Sequence, residues 1–167
     1  MKAIRPDEIK DNIFSAINDD WMLVTAVNSK GEANTMTASW GGFGIMWNKP
    51  VCVAVIRPQR YTSEFVKDSQ RLTLSFLEEG NKEALKICGT KSGRDGDKIS
   101  EAGLKVINEE DYAYFDKSRL TIVGKKIYVS RFSEENFLDK SIIESKYPQR
   151  DYHDVYVCEI EKVLVKE

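Results

Sequence analysis

The apolar residues of this chain fall mainly into short runs of strand length, separated by residues that favour turns. The run at residues 51–56, VCVAVI, is apolar at every position, which predicts a strand covered on both faces. Asn28 to Gly31 supplies turn chemistry between the first two runs, so we expect these to pair as a hairpin. The predicted strands are residues 21–27, 33–40, 51–56, 72–77, 120–132 with an interruption at Gly124, and 154–166.

Helical periodicity is confined to a few segments. The first predicted helix begins near Pro6, places Ile9, Ile13, Phe14 and Ile17 on one face, and ends at the following pair of aspartates. Further helices are predicted from a cap at Thr62 or Ser63 to residue 68, at residues 81–88, near residues 100–102, and at residues 141–147 before Pro148.

Strands therefore dominate the pattern, and the helices lie between them. The glycines at positions 41, 42 and 44 are expected to loosen the chain after the second strand. The hairpin-like spacing favours antiparallel pairing, and a closed or nearly closed barrel hides the edges of so many strands. We predict a mainly β fold with peripheral helices, built as one domain over residues 1–167.

Charge and hydropathy narrow the class of partner. The chain has 25 Lys and Arg against 27 Asp and Glu, for a formal charge of −2, which favours neither nucleic acid nor an anionic membrane as the main partner. No stretch approaches the roughly 20 apolar residues of a transmembrane helix. Residues 1–6 lack the apolar run of a signal peptide, so we expect a cytoplasmic location.

The cysteines and the single histidine limit metal and thiol chemistry. Cys52, Cys88 and Cys158 are too widely spaced for a zinc knuckle or a CxxC pair, and we expect reduced, mostly buried thiols. With one histidine, His153, a multi-histidine metal site is impossible, and no metal site is predicted. His153 is either structural or stands near a ligand and donates a hydrogen bond or a proton.

Residues 34–40, NTMTASW, form the first candidate binding segment. Its small hydroxyl side chains leave room for a flat ligand, whose ring edge backbone groups can read and whose face Trp40 can cover. The alternative is an ordinary strand rich in Thr and Ser, with a packed Trp.

Residues 57–62, RPQRYT, form the second candidate. Arg57 and Arg60 flank a bend that leads into a helix start, an arrangement that suits a phosphate held by guanidinium groups and the Thr62 hydroxyl. The alternative is two solvated arginines and a helix cap.

Residues 88–98, CGTKSGRDGDK, form the third candidate. This basic, glycine-rich and hydroxyl-bearing segment could fold over an anion, or it could be a flexible surface loop. It lacks the spacing of a Walker A loop, and no GxGxxG follows a strand, which argues against a Rossmann dinucleotide site.

Taken together and in this order, residues 34–62, residues 88–98 and the EAGL that follows resemble the flavin reductase-like family, which has an antiparallel, Greek-key-like, FMN-binding split β-barrel. The family includes flavoredoxins and the reductase components of two-component monooxygenases. The SWGG and SGRDGDK elements are most similar to the flavoredoxin-like branch.

The resemblance implies a homodimer with FMN near the subunit interface. It implies that Thr37 and Ser39 offer hydrogen bonds to the isoalloxazine, and that His153 corresponds roughly to a histidine near the nicotinamide in reductases. The implied FMN-binding residues are Met36, Thr37, Ala38, Ser39 and Trp40 along the ring, Arg57, Arg60, Tyr61 and Thr62 at the phosphate, and Lys91 and Ser92 in the covering loop.

Three functions remain open. The first is an NAD(P)H:FMN oxidoreductase, in which hydride passes from NADH or NADPH to the flavin and no protein acid or base is obligatory. The second is a flavoredoxin-like electron carrier that exchanges electrons with a redox protein. The third is a non-enzymatic dimeric barrel whose pocket holds another cofactor.

Overall fold

The computed structural model describes all 167 residues and contains ten strands and five short α-helices. The strands are β1 (Lys2–Ile4), β2 (Met22–Val27), β3 (Ala33–Ala38), β4 (Gly41–Met46), β5 (Lys49–Ile56), β6 (Arg71–Leu77), β7 (Val106–Asn108), β8 (Ala113–Phe115), β9 (Ser118–Arg131) and β10 (Asp154–Val165). The helices are α1 (Ile13–Ser15, continued by a π-helical turn over Ala16–Asp20), α2 (Tyr61–Asp68), α3 (Lys82–Thr90), α4 (Lys98–Glu101) and α5 (Ser141–Lys146). None of the helices has the length and apolar character needed to cross a lipid bilayer.

The main sheet is antiparallel at every pairing, as predicted. Its order is β3-β2-β6-β9-β10-β5-β4, with β1 added to the far end of β10. β5 and β6 follow each other in sequence but are separated in the sheet by β9 and β10, so the connection through α2 crosses the structure. β3 and β4 end the sheet path, do not pair with each other, and are joined only by Ser39 and Trp40.

β2 shows how the core is arranged, because every one of its residues is buried. Met22 and Val24 face the barrel interior, which is filled by apolar residues of the other long strands such as Phe76. Leu23 faces the opposite way and packs in a second cluster with Leu85 of α3. Burying each such side chain contributes about 1.5–3 kcal/mol, so α3 is held to the outer face of the sheet by the same strand that fills the barrel.

Gly124 lies inside β9 rather than interrupting it, so the predicted break is wrong. A Cβ atom at this position would lie 2.8 Å from Cys158 Cβ and 2.9 Å from Cys52 Sγ. The glycine is therefore required by the close approach of two cysteines that face each other across β5 and β10. All three cysteines are free and buried, which confirms that prediction, and burial raises the pKa of Cys88 to about 11.

The first predicted helix is wrong as a continuous element. Pro6–Glu8 forms a 3₁₀ turn, and α1 begins only after Asn12, whose side-chain oxygen accepts hydrogen bonds from the backbone of Phe14 and Ser15. Phe14 is 88% exposed instead of lying on the apolar face. Because Asn12 is the N-cap, the helix begins at Ile13 instead of near Pro6, and Ile9 lies outside it.

The glycine-rich segment after β3 is also different from the prediction, because it forms strand β4. A Cβ on Gly41 would lie 2.4 Å from the carbonyl oxygen of Val53, so β4 can pair with β5 at that point only through a glycine. The sequence also failed to indicate β1 and the β7–β8 hairpin. Helix α2 starts after an N-cap at Arg60, which places Thr62 and Ser63 inside its first turn instead of at the cap.

Candidate functional site

Most of the predicted ring and phosphate residues line one small concavity of about 200 Å³. It lies where β3 ends, beside the residues that follow β5 and precede β10. Its lining residues are Met36, Thr37, Ala38, Ser39, Trp40, Val55, Arg57, Arg60 and His153. Eight of these nine were candidates from the sequence, and Val55 was not.

The register of the sheet explains part of this convergence. Ile56 of β5 pairs with Asp154 of β10, so Arg57 and His153 leave the same end of two neighbouring strands. Residues 36–40 approach from the far end of the sheet path, where β3 passes into β4 without pairing to it. The concavity therefore lies at the open junction of the barrel.

Both terminal nitrogens of the Arg57 guanidinium are bound by protein groups. One end of its guanidinium forms an ion pair with Asp151, and the other donates to the carbonyl oxygen of Lys146 at 2.8 Å. Asp151 also accepts a hydrogen bond from Gln59, and the guanidinium carbon lies 5.1 Å from the ring centre of Tyr147. The positive charge of Arg57 is thus balanced before any ligand binds.

Arg60 has no carboxylate within ion-pair distance. The one hydrogen-bond partner of its guanidinium is the carbonyl oxygen of Cys88, at 3.3 Å. Burial lowers the pKa of Arg60, because water is removed from the charge and no anion replaces it. An anionic ligand group in the concavity would supply that missing partner.

Thr37 connects the floor of the concavity to helix α3. Its hydroxyl donates to the carbonyl oxygen of Leu85 at 2.5 Å. A Cβ on Gly89 would lie only 3.3 Å from Thr37 Cβ, so the helix rests directly on β3. The Thr37 oxygen remains able to accept a hydrogen bond, but its proton is already used.

His153 is 7% exposed and lies between aromatic side chains. Its Nδ1 is 2.8 Å from the hydroxyl of Tyr147, and its ring centre is 5.1 Å from that of Trp40. Burial and the charge of Arg57 lower the pKa of His153 to about 4, so the ring is neutral at pH 7.

Four predicted site residues lie outside the concavity. Tyr61 lines a larger groove of about 730 Å³ at the start of β3, together with Asn34 and Gly93. Thr62 is 1% exposed, and its hydroxyl accepts a hydrogen bond from Asn34 at 2.9 Å. These two side chains therefore lie apart from the concavity, because α2 turns them toward the groove and the core, and the phosphate contact implied for them stays a prediction.

Lys91 and Ser92 lie in a separate polar depression of about 430 Å³. Lys91 forms an ion pair with Glu101, and the Ser92 hydroxyl accepts a hydrogen bond from the backbone of Arg94 at 3.2 Å. The loop that carries them packs against β3 and α2 through Gly93. In this structure it adjoins the site from outside and does not cover it.

Lys98 is a residue that the sequence did not single out. It is 4% exposed, and its Nζ donates to the carbonyl oxygens of Cys88 at 3.1 Å and Lys91 at 3.0 Å. Burial lowers its pKa to about 8. Lys98 thereby fixes the end of α3 and the start of the loop behind Arg60, but nothing in a polar, charged segment distinguishes a buried lysine from an exposed one.

Comparison with known proteins identifies the family of the chain. A sequence model of the flavin reductase like domain matches residues 14–167. The chain belongs to this family. The family predicted from residues 34–104 is thus confirmed, and so is the mainly β, split-barrel fold. No curated protein matches the chain in sequence.

Solved structures share the fold at low sequence identity. Flavoredoxin from Methanosarcina acetivorans superposes with a TM-score of 0.70 at 20% identity, covering 100% of this chain and 77% of that one. The FMN-binding domain of a flavin reductases-like enzyme from Shewanella baltica OS155 gives 0.66 at 14%, covering 97% and 75%. The NADH:FAD oxidoreductase SgcE6 from Streptomyces globisporus gives 0.64 at 12%, covering 88% and 75%.

Proposed function

We propose that this chain binds FMN in the concavity and passes hydride from NADH or NADPH to it. The observation that carries the proposal is Arg60, a partly buried cation without a carboxylate, beside the small hydroxyl residues at the end of β3. The Shewanella baltica neighbour, described as an FMN-binding domain, and the Streptomyces globisporus neighbour, described as an NADH:FAD oxidoreductase, support the same chemistry.

The residues present fit the two chemical ends of FMN. Arg60 offers an uncompensated charge to a phosphate, and charge-assisted hydrogen bonds of this kind are about twice as strong as neutral ones. Trp40 is 39% exposed at the concavity and can cover the face of a flat ring. The bound flavin would supply the two-electron chemistry. The chain would bind the phosphate, orient the ring and keep water from its covered face.

A volume of about 200 Å³ is less than the roughly 300–1,000 Å³ of ligand pockets in general, so one protomer offers only part of a flavin site. We therefore propose a homodimer, in which the partner completes the site. Exposed apolar side chains support this, since Ile45, Trp47, Tyr128 and Val129 are between 50% and 72% exposed. Trp47 and Tyr128 contact each other, with ring centres 6.2 Å apart.

Trp47 provides a specific test of the dimer. It forms the two-residue turn between β4 and β5 with Asn48, and both have positive φ angles, 51° and 58°. Such turns favour Asn and Gly, so Trp47→Asn should keep or stabilise the hairpin while removing apolar contact area. Light scattering should find a dimer for the wild type and a larger monomer fraction for the variant. A monomeric wild type at micromolar concentration refutes the dimer.

The function itself is tested by two measurements on the full chain. Titration with FMN should quench flavin fluorescence with saturation, and the FMN-loaded protein should oxidise NADH or NADPH in steady state. Unchanged fluorescence would exclude the flavin site, and a spectrum dominated by another added cofactor would favour a different occupant.

An electron carrier is the second candidate, favoured by the structural likeness to the flavoredoxin of Methanosarcina acetivorans. Its partner would be a redox protein instead of a nicotinamide. FMN that stays bound through purification, together with no turnover of either nicotinamide, would select this function over the reductase.

A further inference from the structure

The pair formed by Tyr147 and His153 constrains where the histidine carries its proton. Tyr147 is 2% exposed, and its hydroxyl lies 2.8 Å from His153 Nδ1 and has no other hydrogen-bond partner in the chain. Either atom of such a pair can be the donor, and the choice depends on the tautomer of the ring.

The buried hydroxyl decides this choice. If Nδ1 carried the hydrogen, the phenol proton of Tyr147 would have no acceptor, and an unsatisfied buried donor is costly. If Tyr147 donates instead, its proton and the Nδ1 lone pair are both satisfied. A neutral ring then carries its hydrogen on Nε2.

The charged groups around the ring keep it neutral. Burial and the guanidinium of Arg57 oppose protonation, whereas the carboxylates of Asp151 and Asp154 favour it. Arg57 already pairs with Asp151, and Arg131 donates to Asp154 at 2.7 Å. Both carboxylates are therefore largely neutralised before they act on the ring.

The other nitrogen, Nε2, has no hydrogen-bond partner in the chain. The fully buried side-chain atoms without a partner are Ser63 Oγ, Ser118 Oγ and Asp154 Oδ2, so Nε2 is not among the atoms sealed from solvent. His153 lines the concavity, so a ligand bound there would lie next to this ring.

We propose that Tyr147 is a positioning residue that holds His153 as the Nε2–H tautomer, so that the concavity presents a neutral hydrogen-bond donor to an acceptor oxygen of the ligand. The tautomer follows from the chain alone, whereas the contact to the ligand rests on the proposed flavin function. His153 accordingly orients a ligand and does not deliver a proton to it.

The tautomer can be measured without any ligand. The chain has one histidine, so ¹⁵N-labelled protein gives a single pair of imidazole nitrogen signals. We expect the Nε2–H pattern from pH 5.5 to pH 8, and a mixture of tautomers in Tyr147→Phe. Tyr152→Phe is the matched control, because the Tyr152 hydroxyl donates to Glu134 and not to His153.

Two results would overturn the tautomer assignment: an Nδ1–H pattern in the wild type, or a Tyr147→Phe spectrum identical to that of the wild type. If Tyr147→Phe fails to fold, the wild-type Nδ1 signal decides: a nitrogen that accepts the Tyr147 proton resonates upfield of a free acceptor nitrogen, and a signal at the free position would overturn the assignment.

The ligand contact is tested by FMN titration of two variants. His153→Gln keeps an amide N–H near the position of Nε2, whereas His153→Leu has none. We expect FMN affinity to fall about five- to tenfold in the Leu variant and less in the Gln variant, as for loss of one hydrogen bond. Equal losses would refute the contact. No FMN binding by the wild type would refute the proposed function and leave the NMR result standing.

Discussion

Two sides of the concavity carry an arginine each, three residues apart in sequence, and their surroundings are opposite. On one side, Arg57 is paired with Asp151 and packed on Tyr147, beside a neutral His153. On the other, Arg60 donates only to the carbonyl oxygen of Cys88, which Lys98 shares. The paired side is complete without a ligand, whereas the unpaired side holds two cations that no carboxylate balances.

The segment at residues 57–62 suggested one role, phosphate binding, for both arginines. Their different surroundings indicate two different roles. A guanidinium that already has a carboxylate gains little from a second anion, while one that has lost water without gaining a counter-charge gains much. We therefore infer that Arg57 stabilises the structure of the site and that Arg60 binds the anion. Three measurements can break or sharpen this distinction.

The largest effect concerns acid stability of the paired side. The pKa of His153 is about 4 in the folded chain and 6.5 when unperturbed, so the unfolded state takes up the proton first. The stability contributed by the neutral ring is complete above pH 6.5 and falls as the pH falls, and the loss reaches about 3 kcal/mol near pH 4. Urea unfolding between pH 7 and 5 should show this slope in the wild type. His153→Gln should show a shallower slope, and parallel curves would contradict the assignment.

The next effect concerns the unpaired side. Arg60→Met should weaken FMN binding by about 1.5–3 kcal/mol, or roughly 10- to 150-fold in Kd, because hydrogen bonds to charged groups are lost. Fluorescence titration measures the change, with Arg5→Met as a control for loss of an exposed arginine paired to Asp7. If Arg57→Met lost as much affinity as Arg60→Met, the two sides would not differ in the way proposed.

The smallest effect concerns the ion pair itself. Arg57→Met should lower the free energy of unfolding by about 1–2 kcal/mol, since Asp151 and the Lys146 carbonyl lose their partner while remaining partly exposed. Arg60→Met should change stability less, because it removes a desolvated charge. Urea unfolding at pH 7 compares the two variants, and the reverse order would overturn the comparison.

Most of the long strands could be predicted because each contains a short apolar run that is bounded by residues favouring turns. The apolar run at residues 51–56 forms the last six residues of β5, and residues 36–40 of the first candidate segment line the concavity. Strand β4 could not be predicted in this way. Its glycines reflect a close approach to Val53 in the next strand, which is a property of the pairing and not of the segment.

The distinction between the two arginines was also beyond the sequence. Arg57 finds its carboxylate 94 residues later in the chain, at Asp151, and no pattern within residues 57–62 reveals that pairing. The position of Thr62 similarly depends on Asn34, which reaches it across β3 and α2. Local motifs indicated which residue types gather at the site, but long-range contacts decide which of them remain free to bind.

The three sealed thiols have a practical consequence. Each is buried in the native chain, so a thiol-reactive dye can reach them only when the barrel opens. Cys52 and Cys158 are in the barrel interior and Cys88 is on the buried face of α3, so they report on two different parts of the structure. The rate at which colour develops with such a dye therefore measures how often each region opens, with no label introduced by mutation.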